Sequence, residues 1–348
     1  MRELKGTSNT QRSASEAHWM LGVGCWMLEV LLFSLLLFAS QPAHADTTSN
    51  QPTVIATVGA AGEDDFGKEF AKWAELWAKA SATAGAKHIV IGLTPTNAVP
   101  DLTFLKQSLA NEPTNSTAEL WLVLLGHGTF DGKEAKFNLR GPDLSATELA
   151  EWLKPFRRPV VVINCASSSS PFINKLSAPG RVIVTATKSG YEQNYARFGQ
   201  FISAAITDPA ADLDKDRQTS LLEAFLMASR RLTEFYEGEG RLATEHALLD
   251  DNGDGLGTSA DFFRGVRAVK QPAGGGAVDG VRAHQIHLVR SREELALPPN
   301  LRAQRDALEQ AIASLRNSKK DLVEAEYFAR LERLLLQLSK VYSGSGTN

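Results

Sequence analysis

The chain has 348 residues, of which 43% are hydrophobic and 22% are charged. These proportions are typical of a globular protein with one sizeable core and room for an accessory segment. The formal net charge is −3. A charge so close to balance excludes a strongly basic surface for a polyanion, so we expect no nucleic-acid partner.

The N-terminal segment has the features of an export signal. A basic lead precedes a mostly apolar run from Trp19 to Ala39, and Ala43-His44-Ala45 fits the small-x-small pattern that signal peptidase cleaves. Residues 1–45 are therefore predicted to be a removed signal peptide, which makes the protein periplasmic or secreted. The alternative is a retained membrane anchor, because the run is long enough to span a bilayer. Glu29 inside the run weighs against an anchor.

Export would affect how the two cysteines, Cys25 and Cys165, are interpreted. Cleavage after Ala45 removes Cys25 and leaves Cys165 without an intramolecular partner in a compartment that tends to oxidise thiols. Cys165 is then either a small buried apolar residue or a reactive thiol. Its position in the sequence favours the second interpretation.

Residues 46–52 are predicted to be a linker, and a domain is predicted to span 53–270. Within this domain, short runs of β-branched residues alternate with helical patterns. Between the first two strands, Phe66, Phe70, Trp73 and Trp77 recur at helical spacing, which indicates the buried face of an amphipathic helix. This alternation predicts a doubly wound, mostly parallel α/β sheet with helices on both faces. The predicted strands are Thr53–Val58, Lys87–Leu93, Ala118–Leu125, Pro159–Asn164 and Arg181–Thr187.

The pattern changes after Lys270. Residues 271–299 begin with a glycine-rich stretch and are predicted to be a linker. Residues 300–348 are charged and carry two out-of-phase apolar stripes, which predict an antiparallel helical hairpin or a short coiled coil. These helices could pack on the domain, self-associate or bind a protein partner, and the sequence does not choose among these alternatives.

Two predicted strands are followed directly by residues that can take part in catalysis. The third ends at Leu125 and is followed by Gly126-His127-Gly128, and the fourth ends at Asn164 and is followed by Cys165. The carboxyl ends of parallel strands collect reactive groups at one edge of the sheet. A histidine beside a thiol can deprotonate it and later protonate a leaving amine. The amides of Gly128 and Cys165 are the predicted donors to a developing oxyanion.

This order of motifs resembles the caspase, legumain and gingipain group of cysteine peptidases, over the range from Thr53 to Ile206. The Val184-Thr185-Ala186-Thr187 strand is similar to the legumain branch. By position, Thr187, Ser189 and Glu192 after the fifth strand are predicted to line the substrate pocket, and Asp131 is predicted to face it from the histidine loop. The alternative for Glu192 is a solvated loop residue. Ile163 departs from the acid or glutamine that these enzymes carry two residues before the nucleophile, so the resemblance implies nothing about pocket chemistry.

Two acidic loops match the ligand spacing of an EF-hand calcium loop. Arg217 in the first loop replaces the turn glycine that the second loop retains as Gly255. The alternative for each loop is an Asx-rich turn that caps a helix. The predicted Ca²⁺ ligands are Asp212, Asp214, Asp216, Ser220 and Glu223 in the first loop, and Asp250, Asn252, Asp254 and Asp261 in the second.

Together these features predict an exported cysteine endopeptidase that hydrolyses a peptide or protein substrate through a Cys165–His127 dyad. Transfer of the acyl group to an amine would give a transpeptidase side activity. Catalysis needs no cofactor in this scheme, and Ca²⁺ would brace the segment after the sheet. The alternative is a catalytically silent module of the cell envelope with the same fold, which binds peptides or partners.

Overall fold

The computed structural model describes residues 51–94, 99–272 and 276–344. The predicted signal peptide and its alternative as a membrane anchor lie outside the described residues. Within the described residues, no helix is both long enough and apolar enough to cross a bilayer.

The secondary structure follows the predicted alternation of strands and helices. The strands are β1 Thr53–Val58, β2 Lys87–Ile91, β3 Leu120–Leu125, β4 Gly128–Phe130, β5 Ala135–Phe137, β6 Leu144–Ser145, β7 Val160–Asn164, β8 Arg181–Thr185, β9 Leu248–Asp250, β10 Phe263–Arg264 and β11 Arg267–Ala268. The helices are α1 Asp64–Thr83, α2 Asp101–Ala110, α3 Ala146–Leu153, α4 Pro171–Leu176, α5 Phe198–Ala205, α6 Leu221–Gly238, α7 Val281–Gln285, α8 Arg292–Ala296, α9 Pro299–Asn317 and α10 Glu324–Gly344.

The main sheet has six strands in the order β2-β1-β3-β7-β8-β9. All neighbouring pairs are parallel except β8 with β9, which is antiparallel. The five predicted strands are therefore the five parallel strands of the sheet. The predicted fold class, a mostly parallel α/β sheet with helices on both faces, is confirmed.

Two apolar clusters cover the faces of this sheet. One contains α1, α5 and α6 and packs against alternate strand residues such as Val123 and Ile163. The other contains α2, α3 and α4 and packs against the intervening residues such as Leu122 and Val162. This alternation follows from the two-residue period of side chains along a strand. The aromatic stripe of α1, with Phe70, Trp73 and Trp77 buried, lies in the first cluster as predicted.

A small antiparallel sheet, β4-β5-β6, follows β3 directly. This sheet is not predicted from the sequence, because its strands have only two or three residues and so show no periodicity. Ser145 ends this sheet and opens α3 as an N-cap, where its side chain and that of Glu148 form a reciprocal capping box.

The segment predicted as a linker at 271–299 is more structured than expected. It contains α7 and α8, and Ala283, Ile286 and Leu288 are buried in the first apolar cluster. Three apolar residues within six positions bury enough surface to fix the chain, so the later part of this range belongs to the domain.

Helices α9 and α10 form an antiparallel hairpin, as predicted. The Tyr342 hydroxyl near the end of α10 donates to Glu309 Oε1 near the middle of α9. Near the turn, the Lys319 ammonium lies 5.2 Å from the centre of the Tyr327 ring at the start of α10. The start of α10 thus lies at the turn and its end lies back beside α9, so the two helices run in opposite directions.

Candidate active site

The ends of β3 and β7 lie side by side at the carboxyl edge of the sheet. Leu124 of β3 is in register with Asn164 of β7. His127 and Cys165 follow these strand ends within three residues. The expectation that the two strands are neighbours is therefore correct, and the chain segments carrying the two predicted catalytic residues meet at one edge.

His127 is held in one orientation by a backbone acceptor. Its Nε2 atom lies 3.1 Å from the carbonyl oxygen of Ala61. A carbonyl oxygen only accepts hydrogen bonds, so Nε2 carries the proton, and in the neutral ring Nδ1 keeps its lone pair. This tautomer suits a general base.

Aromatic rings surround the imidazole. The Phe66 and Phe70 rings pack edge-on to it at centroid distances of 4.9 and 5.1 Å, and Tyr195 lies at 5.8 Å. Burial among these rings disfavours the charged form and lowers the pKa of His127 below its ordinary value, while the Ala61 carbonyl and the Glu63 carboxylate oppose this shift. The imidazole is consequently neutral at pH 7.

The Ala61 acceptor comes from the loop between β1 and α1. Gly59 opens this loop at a point so crowded that a Cβ atom would lie 2.5 Å from the Asn138 carbonyl oxygen. Gly62 follows with φ of 72°, a conformation that favours glycine. Ala61 is not predicted from the sequence as a partner of His127. The Gly59-Ala60-Ala61-Gly62 segment after a buried strand is the one pattern that marks this loop.

Cys165 lies in the core, not at the open edge. Its side chain has no exposed surface, and it belongs to the apolar cluster formed with Trp73 and Phe198. Burial raises the pKa of its thiol, and the charge of Glu245 adds to the increase. In this conformation a peptide cannot reach the sulfur, so the predicted role of Cys165 as nucleophile requires it to leave the core.

The amide of Cys165 is also committed to the sheet. It donates to the carbonyl oxygen of Leu124 at 2.9 Å, which continues the ladder between β3 and β7. The predicted oxyanion role for this amide is wrong, because an N–H that donates within the sheet cannot point at a substrate oxygen.

The amide of Gly128 has a different environment. Asn138 N donates to His127 O, and Gly128 lies opposite Phe137 in the antiparallel pair. That register makes Gly128 part of a non-hydrogen-bonded pair, so its N–H points away from β5. A Cβ atom at Gly128 would lie 2.4 Å from the Ser167 carbonyl oxygen. Only glycine allows the two loops to approach this closely.

The serine run after β7 forms a tight turn before α4. The amide of Ala166 donates to Asn164 Oδ1, and the Ser167 hydroxyl donates to the Asn194 carbonyl oxygen at 2.7 Å. Ser168 has φ of 54°, which is rare for a residue with a side chain. The Ser169 hydroxyl accepts from the amide of Ala186 at the end of β8. This network fixes the turn against the neighbouring strand.

The predicted pocket residues have several different environments. Thr187 is fully buried, and its hydroxyl bonds with Ser169 and accepts from the Ser170 amide, so it does not line an open pocket. Asp131 is exposed at the tip of the β4–β5 turn, where it accepts from the amides of Lys133 and Glu134.

Ser189 and Glu192 lie in the loop after β8. The Ser189 hydroxyl accepts from the Tyr191 amide, and Glu192 accepts from the imidazole Nδ1 of His246 at 2.6 Å. The Tyr191 ring packs edge-on against Phe130 at 5.4 Å. The structure thus brings the Asp131 turn and the 189–192 loop together, but it engages the Glu192 carboxylate within the protein instead of presenting it to a substrate.

The first acidic loop brings several predicted ligands together. Carboxylate oxygens of Asp212, Asp214 and Asp216 lie within 4.8 Å of one another, as do ligand atoms of Asp214, Glu223 and His284. Arg217 has φ of 72°, so it adopts the left-handed backbone that a glycine takes at this turn position. Ser220 is instead the N-cap of α6, in a capping box with Glu223.

The second acidic loop has a similar backbone but a different last residue. Asp250 accepts from the amides of Gly253 and Gly255, and both glycines have positive φ. Asp261, predicted as the twelfth-position ligand, is paired with the Lys270 ammonium at 2.6 Å. The predicted ligand role of Asp261 is therefore not seen, because the Lys270 ammonium neutralises its carboxylate at the surface.

No protein-family model matches this chain, and a comparison with curated proteins finds no match. Among solved structures, the initiator caspase Dronc of Drosophila is 14% identical, with a TM-score of 0.40 over 64% of this chain and 92% of that chain. Raptor of Chaetomium thermophilum is 10% identical, with a TM-score of 0.31 over 47% of this chain and 18% of that chain. Neither structure is a legumain, so the legumain side of the resemblance stays a prediction.

Proposed function

We propose that this protein is a peptidase that catalyses acyl transfer at the edge where β3 and β7 end. The observation that carries the proposal is the bond between His127 Nε2 and the Ala61 carbonyl. It leaves a neutral imidazole with an unprotonated Nδ1 at the same edge as the turn that follows β7. A general base next to a strand-end turn is the arrangement that nucleophilic acyl transfer needs.

In this proposal His127 takes the proton of the attacking group and then protonates the leaving amine. The Gly128 N–H would bind the developing oxyanion, a contribution that is often the largest in such reactions. Cys165 remains the nucleophile predicted from the sequence, and it acts only if its thiol moves out from beneath Trp73. Transfer of the acyl group to an amine instead of water would give transpeptidation. We extend the proposal to export after cleavage at Ala45.

A fluorogenic peptide library with the purified protein tests the proposal. We expect hydrolysis by wild type and a loss of about 100-fold or more in kcat/KM for His127→Ala. His88→Ala is the matched control, because His88 lies in the edge strand β2 and contacts Ser81. Equal rates for wild type and His127→Ala would remove the proposal.

Burial of Cys165 favours a second candidate, the silent binding module. The outer side of α10 exposes large apolar side chains, among them Phe328 and Leu336, which suits self-association or a protein partner. For this candidate we expect no hydrolysis of any peptide, and a self-association seen by sedimentation that is lost when residues 300–348 are deleted. A monomer at all concentrations would count against self-association.

We also propose that Ca²⁺ binds the first acidic loop. The close carboxylates of Asp212, Asp214 and Asp216 and the left-handed Arg217 support this assignment. Oxygen donors at this spacing fit Ca²⁺. The ion would stabilise the segment between α5 and α6 and take no part in the chemistry.

A further inference from the structure

The turn after β7 presents two different residues to the two sides of the sheet. Cys165 belongs to the apolar cluster on the α1 side, and Ala166 belongs to the cluster on the opposite side. The Ser167 hydroxyl donates to the carbonyl oxygen of Asn194, and the next residue, Tyr195, packs against Phe66 of α1 at 4.5 Å, which places Ser167 near the α1 side. His127 lies on that side too, because its ring contacts Phe66 and Phe70 of α1.

Several contacts place Ser167 beside the segment that carries His127. The Ser167 carbonyl oxygen is 2.4 Å from where a Cβ of Gly128 would be, and Gly128 directly follows His127. The Ser167 hydroxyl donates to the carbonyl oxygen of Asn194. The next residue, Tyr195, has its ring centre 5.8 Å from that of the imidazole. Ser167 therefore contacts the neighbouring residue of His127 on one side and of Tyr195 on the other.

The two candidate nucleophiles also differ in what covers them. Cys165 lies against α1 and α5, since a Cβ at Gly199 would lie 2.9 Å from the Cys165 Cβ and 2.6 Å from the Trp73 ring. Exposing the thiol would mean separating two packed helices. Ser167 is 4% exposed, and its hydroxyl donates to the carbonyl oxygen of Asn194, which is itself exposed and lies in an irregular loop. Movement of that loop would release the hydroxyl from this bond.

We propose that the nucleophile of this site is the hydroxyl of Ser167, with His127 as its base. The inference rests on the proposed peptidase function and replaces Cys165 by Ser167 as its attacking group. It makes Cys165 a packing residue of the core, and it assigns the protein to serine-dependent acyl transfer on peptide substrates.

The reaction balances with these groups and one water. As the Ser167 Oγ–H proton moves to Nδ1 of His127, Oγ bonds to the peptide carbonyl carbon and the carbonyl π electrons form an oxyanion near the Gly128 N–H. The oxyanion collapses, the C–N bond breaks, and the amine leaves with the proton from His127. Water then attacks the ester and gives a proton to His127, which returns it to Ser167 Oγ as the acid departs.

A serine-directed fluorophosphonate probe applied to the full chain, followed by peptide mass mapping, tests this assignment. We expect an adduct on Ser167 and a loss of labelling and of peptide hydrolysis by about 100-fold or more in Ser167→Ala. Ser170→Ala is the matched control in the same turn, and it should label and hydrolyse as wild type does. Ser167→Cys keeps the assignment testable if Ser167→Ala does not fold, because its new thiol should react with iodoacetamide below pH 7 in a manner that His127→Ala abolishes.

The outcomes separate this inference from the proposed function. Hydrolysis that persists in Ser167→Ala and disappears in Cys165→Ala would overturn the inference and leave the peptidase proposal standing. Absence of both hydrolysis and labelling in folded wild type would overturn both. A Ser167 adduct that depends on His127 supports both.

Discussion

His127 Nε2 and the Ala61 carbonyl oxygen, 3.1 Å apart, join the loop after β3 to the loop after β1. This bond leaves Nδ1 as the basic atom, and burial lowers the pKa of the imidazole.

Activity that needs neutral His127 falls only when the pH drops through this lowered pKa. We expect the acid limb of the pH–rate profile to lie below the ordinary value of about 6.5. Phe66→Leu removes one of the aromatic rings around the imidazole and should move the acid limb toward pH 6.5. An acid limb at or above pH 6.5 in wild type would contradict the assignment of His127 as the base.

The thiol of Cys165 should react slowly in the native protein. Its surface is fully buried and its pKa is raised by that burial, so both access and thiolate fraction are low. We expect iodoacetamide labelling at pH 8 to follow global unfolding, with a large increase in rate in denaturing urea. Gln193→Cys supplies an exposed thiol in the same chain as a control for reagent activity. Native labelling of Cys165 as fast as that of the added thiol would show that it leaves the core readily.

The long apolar strands could be predicted from the sequence because each one carries its own pattern. The runs that end before Gly126 and at Asn164 are buried along their whole length, and a continuous apolar run indicates a strand covered on both faces. Their adjacency followed from the usual topology of such sheets. The prediction of His127 at the carboxyl edge required no more than this.

The orientation of the other site residues depends on the residue at which each strand ends. A shift of one residue moves a side chain to the other face of a sheet, so the sequence alone does not reveal whether Cys165 or its neighbours point into the core. The Ala61 acceptor is a backbone carbonyl, which every residue possesses, and no residue type marks it. The pairing of Asp261 with Lys270 likewise depends on the fold of the β10–β11 hairpin.

Gly199 is required by the packing between α5 and α1. A Cβ at this position would lie 2.6 Å from the Trp73 ring and 2.9 Å from the Cys165 Cβ, and all three residues are buried in the tightly packed core. We expect Gly199→Ala to destabilise the fold by about 1–3 kcal/mol through overpacking. Gly238→Ala, in α6 with open space around it, should be neutral or stabilising by about 0.5–1 kcal/mol. Urea denaturation of both variants measures the difference, and equal stability would show that Trp73 can move aside.

Calcium binding to the first acidic loop should appear in the melting temperature. The ion would relieve repulsion among Asp212, Asp214 and Asp216, whose oxygens lie within 4.8 Å, and it would bind the native state preferentially. At about 100 times the dissociation constant the stabilisation is about 2.7 kcal/mol. We expect excess EGTA to lower the melting temperature of wild type and to have little effect on Asp214→Asn. Asp321→Asn, outside the loop, is the control, and a wild-type melting temperature indifferent to both EGTA and added Ca²⁺ would remove the proposal.

His287 should make the fold sensitive to acid. It is buried, with 5% of its surface exposed, and this burial lowers its pKa to about 4 despite the nearby Glu294 carboxylate. The unfolded chain therefore takes up a proton near pH 6.5 while the folded protein does not, so stability falls as the pH drops from about 6.5 toward 4. At about 1.4 kcal/mol per pKa unit, the loss reaches about 3 kcal/mol below pH 4.

Substitution of His287 by glutamine isolates this contribution, because glutamine cannot be protonated. We expect the free energy of unfolding of wild type, measured in urea at a series of pH values, to fall more steeply between pH 6.5 and 4 than that of His287→Gln. Above pH 7 the two curves should run parallel, since His287 is neutral in both the folded and the unfolded state. Parallel curves across the whole range would mean that folding does not lower the pKa of the His287 imidazole.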